Sequence, residues 1–272
     1  MAKVFCIDVS RCSGCYNCQF ACKDEHCSNE WMPYARMQPL MGQFWLKMEE
    51  HIQGTKPKLR MHFIPRLCRH CDDPACLKAA EGGAVFKRED GLVIIDPEKA
   101  KGQKQIMESC PYGSIYWNGE LDIPQKCTGC AHLLAEGKDP RCVDVCHTGA
   151  IRFGEEEEFA DFISVAVTCD QDRTAGSRVY YKGIPGEFIG GTLYDPEEEE
   201  TVRGARCILT QGAVTLETET DIFGDFWFND LPAGVYDLRI EARGFKEKSF
   251  ERISSEGSLN LGDIPMEKIR EA

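Results

Sequence analysis

The sequence predicts an α+β chain in two parts: a cysteine-rich amino-terminal domain of short strands and helices, then an all-β sandwich of about seven strands. Two observations predict it. Fourteen of the sixteen cysteines in this 272-residue chain fall before residue 147, most of them in short-spaced groups. Beyond Phe188 the pattern becomes a strict apolar–polar alternation broken by turn signals, the mark of half-buried strands. A third observation sets the two parts apart. From Phe188 onward there are 9 Lys/Arg against 18 Asp/Glu, so the acid excess behind the net charge of −13 sits mainly in the second part.

The first cysteine group is Cys12, Cys15, Cys18 and Cys22, a C-x2-C-x2-C-x3-C run. This is the spacing of bacterial ferredoxins, in which three thiolates hold one cubane and the fourth reaches a neighbouring cluster. The second group is Cys68-x2-Cys71-x4-Cys76, and the third is Cys110 followed by Pro111. The fourth is Cys127-x2-Cys130-x11-Cys142-x3-Cys146. Paired C-x2-C motifs also occur in zinc ribbons, but the first run is not a zinc spacing. A disulfide framework would need a secreted context, and none is visible.

Between the first two groups lies an insertion, residues 28–67, rich in Trp, Met, Phe and Arg; it suits a partner interface or a cover over the core. Residues 155–187 read as a connector. Residues 188–272 carry the strands: Tyr236, Leu238 and Ile240 alternate with Asp237, Arg239 and Glu241, and Phe226 and Phe228 alternate with Trp227 and Asn229. Turn signals stand at Asn229-Asp230, Pro232-Ala233-Gly234 and Gly244.

Other function classes lack their signatures. The acidic balance argues against nucleic-acid binding. No apolar run reaches the ~18 residues of a membrane span. There is no G-x-G-x-x-G after a strand, no P-loop, no H-E-x-x-H and no G-x-S-x-G, so no catalytic constellation is expected on this chain. The start, MAKVFCIDVSRCSGC, runs directly into the first cysteine motif, and the expected location is cytoplasmic. His26, His70, His132 and His147 lie near the cysteine groups and read as neighbours of ligands or surface residues. Lys126 and Arg141 each precede a cysteine. They read either as ordinary surface charge or as cations that raise a cluster's potential. Trp31, Trp45 and Trp117 read mainly as core.

The four cysteine groups resemble the four-cluster electron-transfer subunits of molybdenum enzymes in the dimethyl sulfoxide reductase family, over about residues 1–154. The resemblance implies a ferredoxin-like domain in which the groups pair crosswise. Cys12, Cys15, Cys18 and Cys146 would hold one [4Fe–4S] cluster, Cys22, Cys127, Cys130 and Cys142 a second, and Cys68, Cys71, Cys76 and Cys110 a third. A fourth cluster would need cysteines where this chain has Ala80, Ala100, Gln103 and Ile106. Three clusters are therefore expected, with Cys6, Cys27, Cys169 and Cys207 left over.

The stretch GDFWFNDLPAGVYDLRIEARGF resembles carboxypeptidase-regulatory-like and Cna-B-like sandwiches of immunoglobulin type, whose usual role is structural. A chain with one cluster set erased and a sandwich appended is similar to the phenol-transhydroxylase branch of the molybdenum family. The segments EDGLVIIDPEKAKG, CPYGSIYWN, KCTGCAHLL and RVYYKG carry that likeness. It implies a large catalytic subunit, in a heterodimer, holding molybdenum with two molybdopterin guanine dinucleotides. Two alternatives stay open at this point: a subunit of a reductive or respiratory molybdenum reductase, and a stand-alone polyferredoxin.

Overall fold

The computed structural model describes residues 2–168 and 176–270. It divides into two units, residues 1–50 with 62–184, and residues 51–61 with 185–272.

The first unit is organised by the strand Lys3–Asp8, whose residues Val4 to Ile7 are all buried. An apolar run buried on both faces needs cover on both sides. On one side Phe5 and Ile7 join a core with Trp45, Leu46, Met48, Ile64, Leu67 and Tyr181. On the other, Val4 and Cys6 pack against Phe162. Ile151–Glu155 pairs antiparallel with this strand and Val179–Lys182 pairs parallel with it. Two short hairpins also lie in this unit, Val85–Lys87 with Val93–Ile95 and Tyr116–Asn118 with Ile123–Gln125. Between them stand the helices that carry cysteines, Asn17–His26, Ala75–Ala79 and Arg141–Asp144.

Two boundaries differ from the expectation. The stretch expected as a connector holds the helix Ala160–Ser164 and the strand Val179–Lys182, and that strand completes the central sheet. Val179 and Tyr181 are buried, and the Tyr181 hydroxyl donates to the Pro65 carbonyl at 2.9 Å, which ties the segment to the core. The expected insertion also divides. Its buried residues Trp45, Leu46, Met48, Ile64 and Leu67 belong to the first unit's core, whereas residues 51–61 go with the second unit. Met32, Met37, Leu40 and Met41 stay exposed.

The second unit is a two-sheet sandwich of eight strands among the described residues, seven long and one of two residues. One sheet has Glu187–Asp195 at its centre, flanked by Asp225–Leu231 and Glu200–Thr201 and, in parallel, by Leu259–Pro265. The other runs Val214–Glu219, Arg206–Gln211, Val235–Glu241, Lys248–Ser254, all antiparallel. The alternation read from the sequence is the burial pattern: Tyr236, Leu238 and Ile240 are buried, as are Phe226 and Phe228. Their inner faces meet Ile189, Leu193 and Cys207. Asn229-Asp230 is not a turn but an irregularity inside a strand. The register against Glu187–Asp195 slips there, and Asp230 takes φ +54°. Such a bulge adds one residue and bends the strand without ending it.

Candidate metal centres

The cysteines sit where short loops meet short helices. Cys12 and Cys15 lie in the loop after the first strand, and Cys18 and Cys22 follow one turn apart on the helix Asn17–His26, both buried. Successive turns direct residues 18 and 22 to the same face but different depths, as a run serving two clusters requires. Cys142 lies on Arg141–Asp144 and Cys146 just beyond it. Cys76 lies on Ala75–Ala79, and Cys110 follows the helix Lys104–Glu108.

Three of the four C-x2-C turns place a left-handed residue before the second cysteine, Gly14 at φ +67°, His70 at +45° and Gly129 at +63°, whereas the Cys15–Cys18 turn has it at Tyr16, φ +62°. Two are glycines, which adopt this conformation without penalty. A Cβ on Gly14 would stand 2.4 Å from the Phe63 ring, and one on Gly129 would stand 2.8 Å from Leu92. His70 occupies the third position because its fully buried ring is held there. Its Nδ1 accepts from the Val93 N–H at 3.0 Å. Burial first, then the Lys126 charge, pushes the His70 pKa well down and keeps it neutral.

The structure brings the twelve predicted cysteines into three neighbourhoods. Cys18 has Cys12, Cys146 and Cys15 within electrostatic reach. Cys142 has Cys130, Cys127 and Cys22. Cys71 has Cys68, Cys76 and Cys110, and these four line a small cavity with Val93, Tyr112 and Ile115. Adjacent groups also lie within electrostatic reach of one another. Cys142 feels Cys18 of the first group, and Cys127 feels Cys68 of the third. Burial, followed by mutual repulsion, pushes the thiols of Cys18 and Cys71 up to about 12. Every described cysteine is free. Buried thiols with raised pKa become thiolates when a metal supplies the compensating charge.

The donor set fits iron–sulfur clusters: it is all sulfur, the ligand type that selects such clusters. Backbone N–H groups point at the sulfurs, from Gly129 to Cys127 at 3.3 Å, Arg141 to Cys130 at 3.5 Å and Ile151 to Cys146 at 3.4 Å. These are the hydrogen bonds by which a protein tunes a cluster. The histidines add to them. His26 is buried with Nε2 3.9 Å from Cys130 Sγ, and burial followed by His132 lowers its pKa to about 3. The His147 Nδ1 lies 3.9 Å from Cys15 Sγ. His132 instead meets Glu25 at 3.0 Å and stacks on Trp31, while Trp45 packs on His26.

Of the leftover cysteines, Cys6 points to the far side of the central sheet and Cys207 lies in the sandwich core. Cys27 lies beside the helix end with Phe20 and Leu40. Cys169 lies outside the described residues. Where the resemblance would place a fourth ligand set there is packing. Ala100 and Ile106 are fully buried in a core with Val85, Val93, Ile95 and Ile115, and Ala80 rests against it. Gln103 ties this corner together. Its Oε1 accepts from the Glu81 N–H at 2.9 Å, and its Nε2 donates to the Lys99 carbonyl at 2.8 Å.

Groups of buried thiols served by N–H donors fit an iron–sulfur electron-transfer protein. Comparison with known proteins is more specific. Residues 59–156 match the 4Fe-4S dicluster domain, and residues 189–267 match the carboxypeptidase regulatory-like domain. The chain is 37% identical over 280 residues to the pyrogallol hydroxytransferase small subunit of Pelobacter acidigallici, covering 96% of this chain and 97% of that one. It is 36% identical over 154 residues to an anaerobic dimethyl sulfoxide reductase chain of Escherichia coli (strain K12), covering 57% of this chain and 74% of that one. It is 31% identical over 193 residues to a tetrathionate reductase subunit of Salmonella typhimurium, covering 67% and 73%. The chain belongs to the family of iron–sulfur small subunits of molybdenum oxidoreductases, and its role is electron transfer. Such subunits work with a catalytic partner. No described helix is long and apolar enough to cross a membrane.

Proposed function

We propose that this chain holds three [4Fe–4S] clusters in series and serves a large subunit carrying molybdenum and two molybdopterin guanine dinucleotides, with a phenol such as pyrogallol as the partner's substrate. Cys12, Cys15, Cys18 and Cys146 hold the first cluster, Cys22, Cys127, Cys130 and Cys142 the second, and Cys68, Cys71, Cys76 and Cys110 the third. The observation that carries the reading is the separation of twelve free cysteines into three mutually adjacent tetrads. Bound clusters supply one-electron steps. The chain's own part is to bury the thiolates, exclude water and present N–H donors. The second tetrad adjoins both of the others, which supports a linear order with that set in the middle.

The phenolic substrate is supported by the extent of the likeness. The hydroxytransferase small subunit matches along nearly the whole chain, sandwich included, whereas the sulfoxide reductase relative matches only 57% of it. The fifteen described cysteines, none of them in a disulfide, support a reducing, cytoplasmic setting. Anaerobic purification of the native complex tests the proposal. A co-purifying larger subunit with molybdenum, active on pyrogallol, is expected. A chain that purifies alone with its clusters would overturn the fixed partnership.

A further inference from the structure

Lys126 is 2% exposed, and its ammonium has no carboxylate within ion-pair distance among the described residues. Its Nζ donates to the Val93 carbonyl and, at 3.0 Å, to the Cys127 carbonyl. Carbonyl dipoles alone do not offset the desolvation of a buried cation, which calls for an anion nearby. The contrast with Lys58 is direct: that lysine is 6% exposed and meets Asp225 at 2.7 Å. Two cations near the thiols have carboxylate partners instead. Arg141 meets Asp144 and Glu25, and Lys87 meets Asp72 at 2.8 Å.

The two carbonyls that hold Lys126 belong to two different sets: Cys127 is in the second tetrad, and Val93 lines the cavity of the third with Cys68, Cys71, Cys76 and Cys110. A [4Fe–4S] cluster with four thiolates is a net anion, and reduction makes it more negative. A fixed cation beside it therefore favours the reduced form.

We propose that Lys126 is the positive charge shared by the second and third clusters, and that it raises the reduction potential of both. Lys126 is a positioning residue in the electrostatic sense, since it acts through the ligand sulfurs. The inference rests on the three-cluster reading above.

The test is an anaerobic redox titration, followed by electron paramagnetic resonance, of the intact complex with Lys126→Met, Lys126→Gln and Lys126→Arg. Loss of the charge should move two of the three midpoint potentials to more negative values and leave the third in place. The arginine variant should stay near wild type. Three unmoved potentials, three that move together, or an arginine variant that behaves like the methionine one would overturn it. If the neutral variants lose iron, retention of iron by Lys126→Arg supports the charge role, and loss in all three refutes it. Failure of the cluster reading is distinguishable, because the wild-type complex would then lack the cluster signals.

Discussion

Replacing Gly14 with alanine tests how the first cysteine loop is built. Gly14 has φ +67°, and an added Cβ would stand 2.4, 2.5 and 2.6 Å from three atoms of the Phe63 ring. Two costs follow. The left-handed backbone costs a non-glycine residue roughly 1–2 kcal/mol. Displacing a packed ring to admit a methyl group costs typically ~1–3 kcal/mol. The sum, about 2–5 kcal/mol, corresponds to at least a tenfold change at ~1.4 kcal/mol per decade. Cluster loss is irreversible, so a rate is the proper measure. The Gly14→Ala complex should lose its visible cluster absorbance at least about tenfold faster than wild type at one temperature, without oxygen. A double-mutant cycle with Phe63→Ala separates the two costs, because removing the ring relieves the clash and leaves the backbone strain. A decay rate within about twofold of wild type, or no coupling between the two positions, would refute the argument.

Three further expectations use other parts of the molecule. Leu238 is 1% exposed in the sandwich core, so Leu238→Ala should lower stability by about 2–5 kcal/mol while leaving the iron content at the wild-type value; chemical unfolding of the full chain measures the first and iron analysis the second. The Asp195 carboxyl is held below the usual range by the Lys268 ammonium at 2.8 Å, against partial burial, with help from the N–H groups of Glu197 and Glu198. A depressed folded pKa stabilises above the ordinary value of about 3.9 and loses that contribution as pH falls through the folded pKa, so the stability gap between wild type and Asp195→Asn should close on acidification. Thermal unfolding across that range reads the gap, and a gap that widens in acid would contradict the sign. Cys6→Ala and Cys27→Ala should each keep the full iron content, whereas Cys18→Ala should lose iron; equal losses in all three would dissolve the distinction between ligand and spare thiol.

The parts of the fold carried by local spacing were legible in the sequence. Within each run the cysteine intervals keep neighbouring thiols close, because short loops and single helical turns leave little freedom, whereas the crosswise pairing of distant runs came from the family resemblance and not from spacing. The strands bearing Phe226 and Tyr236 announced themselves through alternation, since each has one buried face. Features set by long-range contact were not legible. Val179–Lys182 pairs in parallel with a strand some 170 residues earlier, and nothing local marks that choice. Residues 51–61 belong with the sandwich because of packing that composition does not encode. Asn229-Asp230 carries the chemistry of a turn, but the flanking Phe228 and Leu231 are both buried and keep the strand going through a bulge. Lys126 was ambiguous. A lysine before a cysteine reads equally as surface charge or as a cation beside a cluster, and only the fold shows that it is buried and held by carbonyls.

The most direct test of the account is the iron and acid-labile sulfide content of the natively purified complex, counted per copy of this chain. Three cubanes predict about twelve of each. About sixteen iron assigned to this chain would mean a fourth cluster on ligands outside the twelve, and zinc in place of iron would contradict the electron-transfer role altogether.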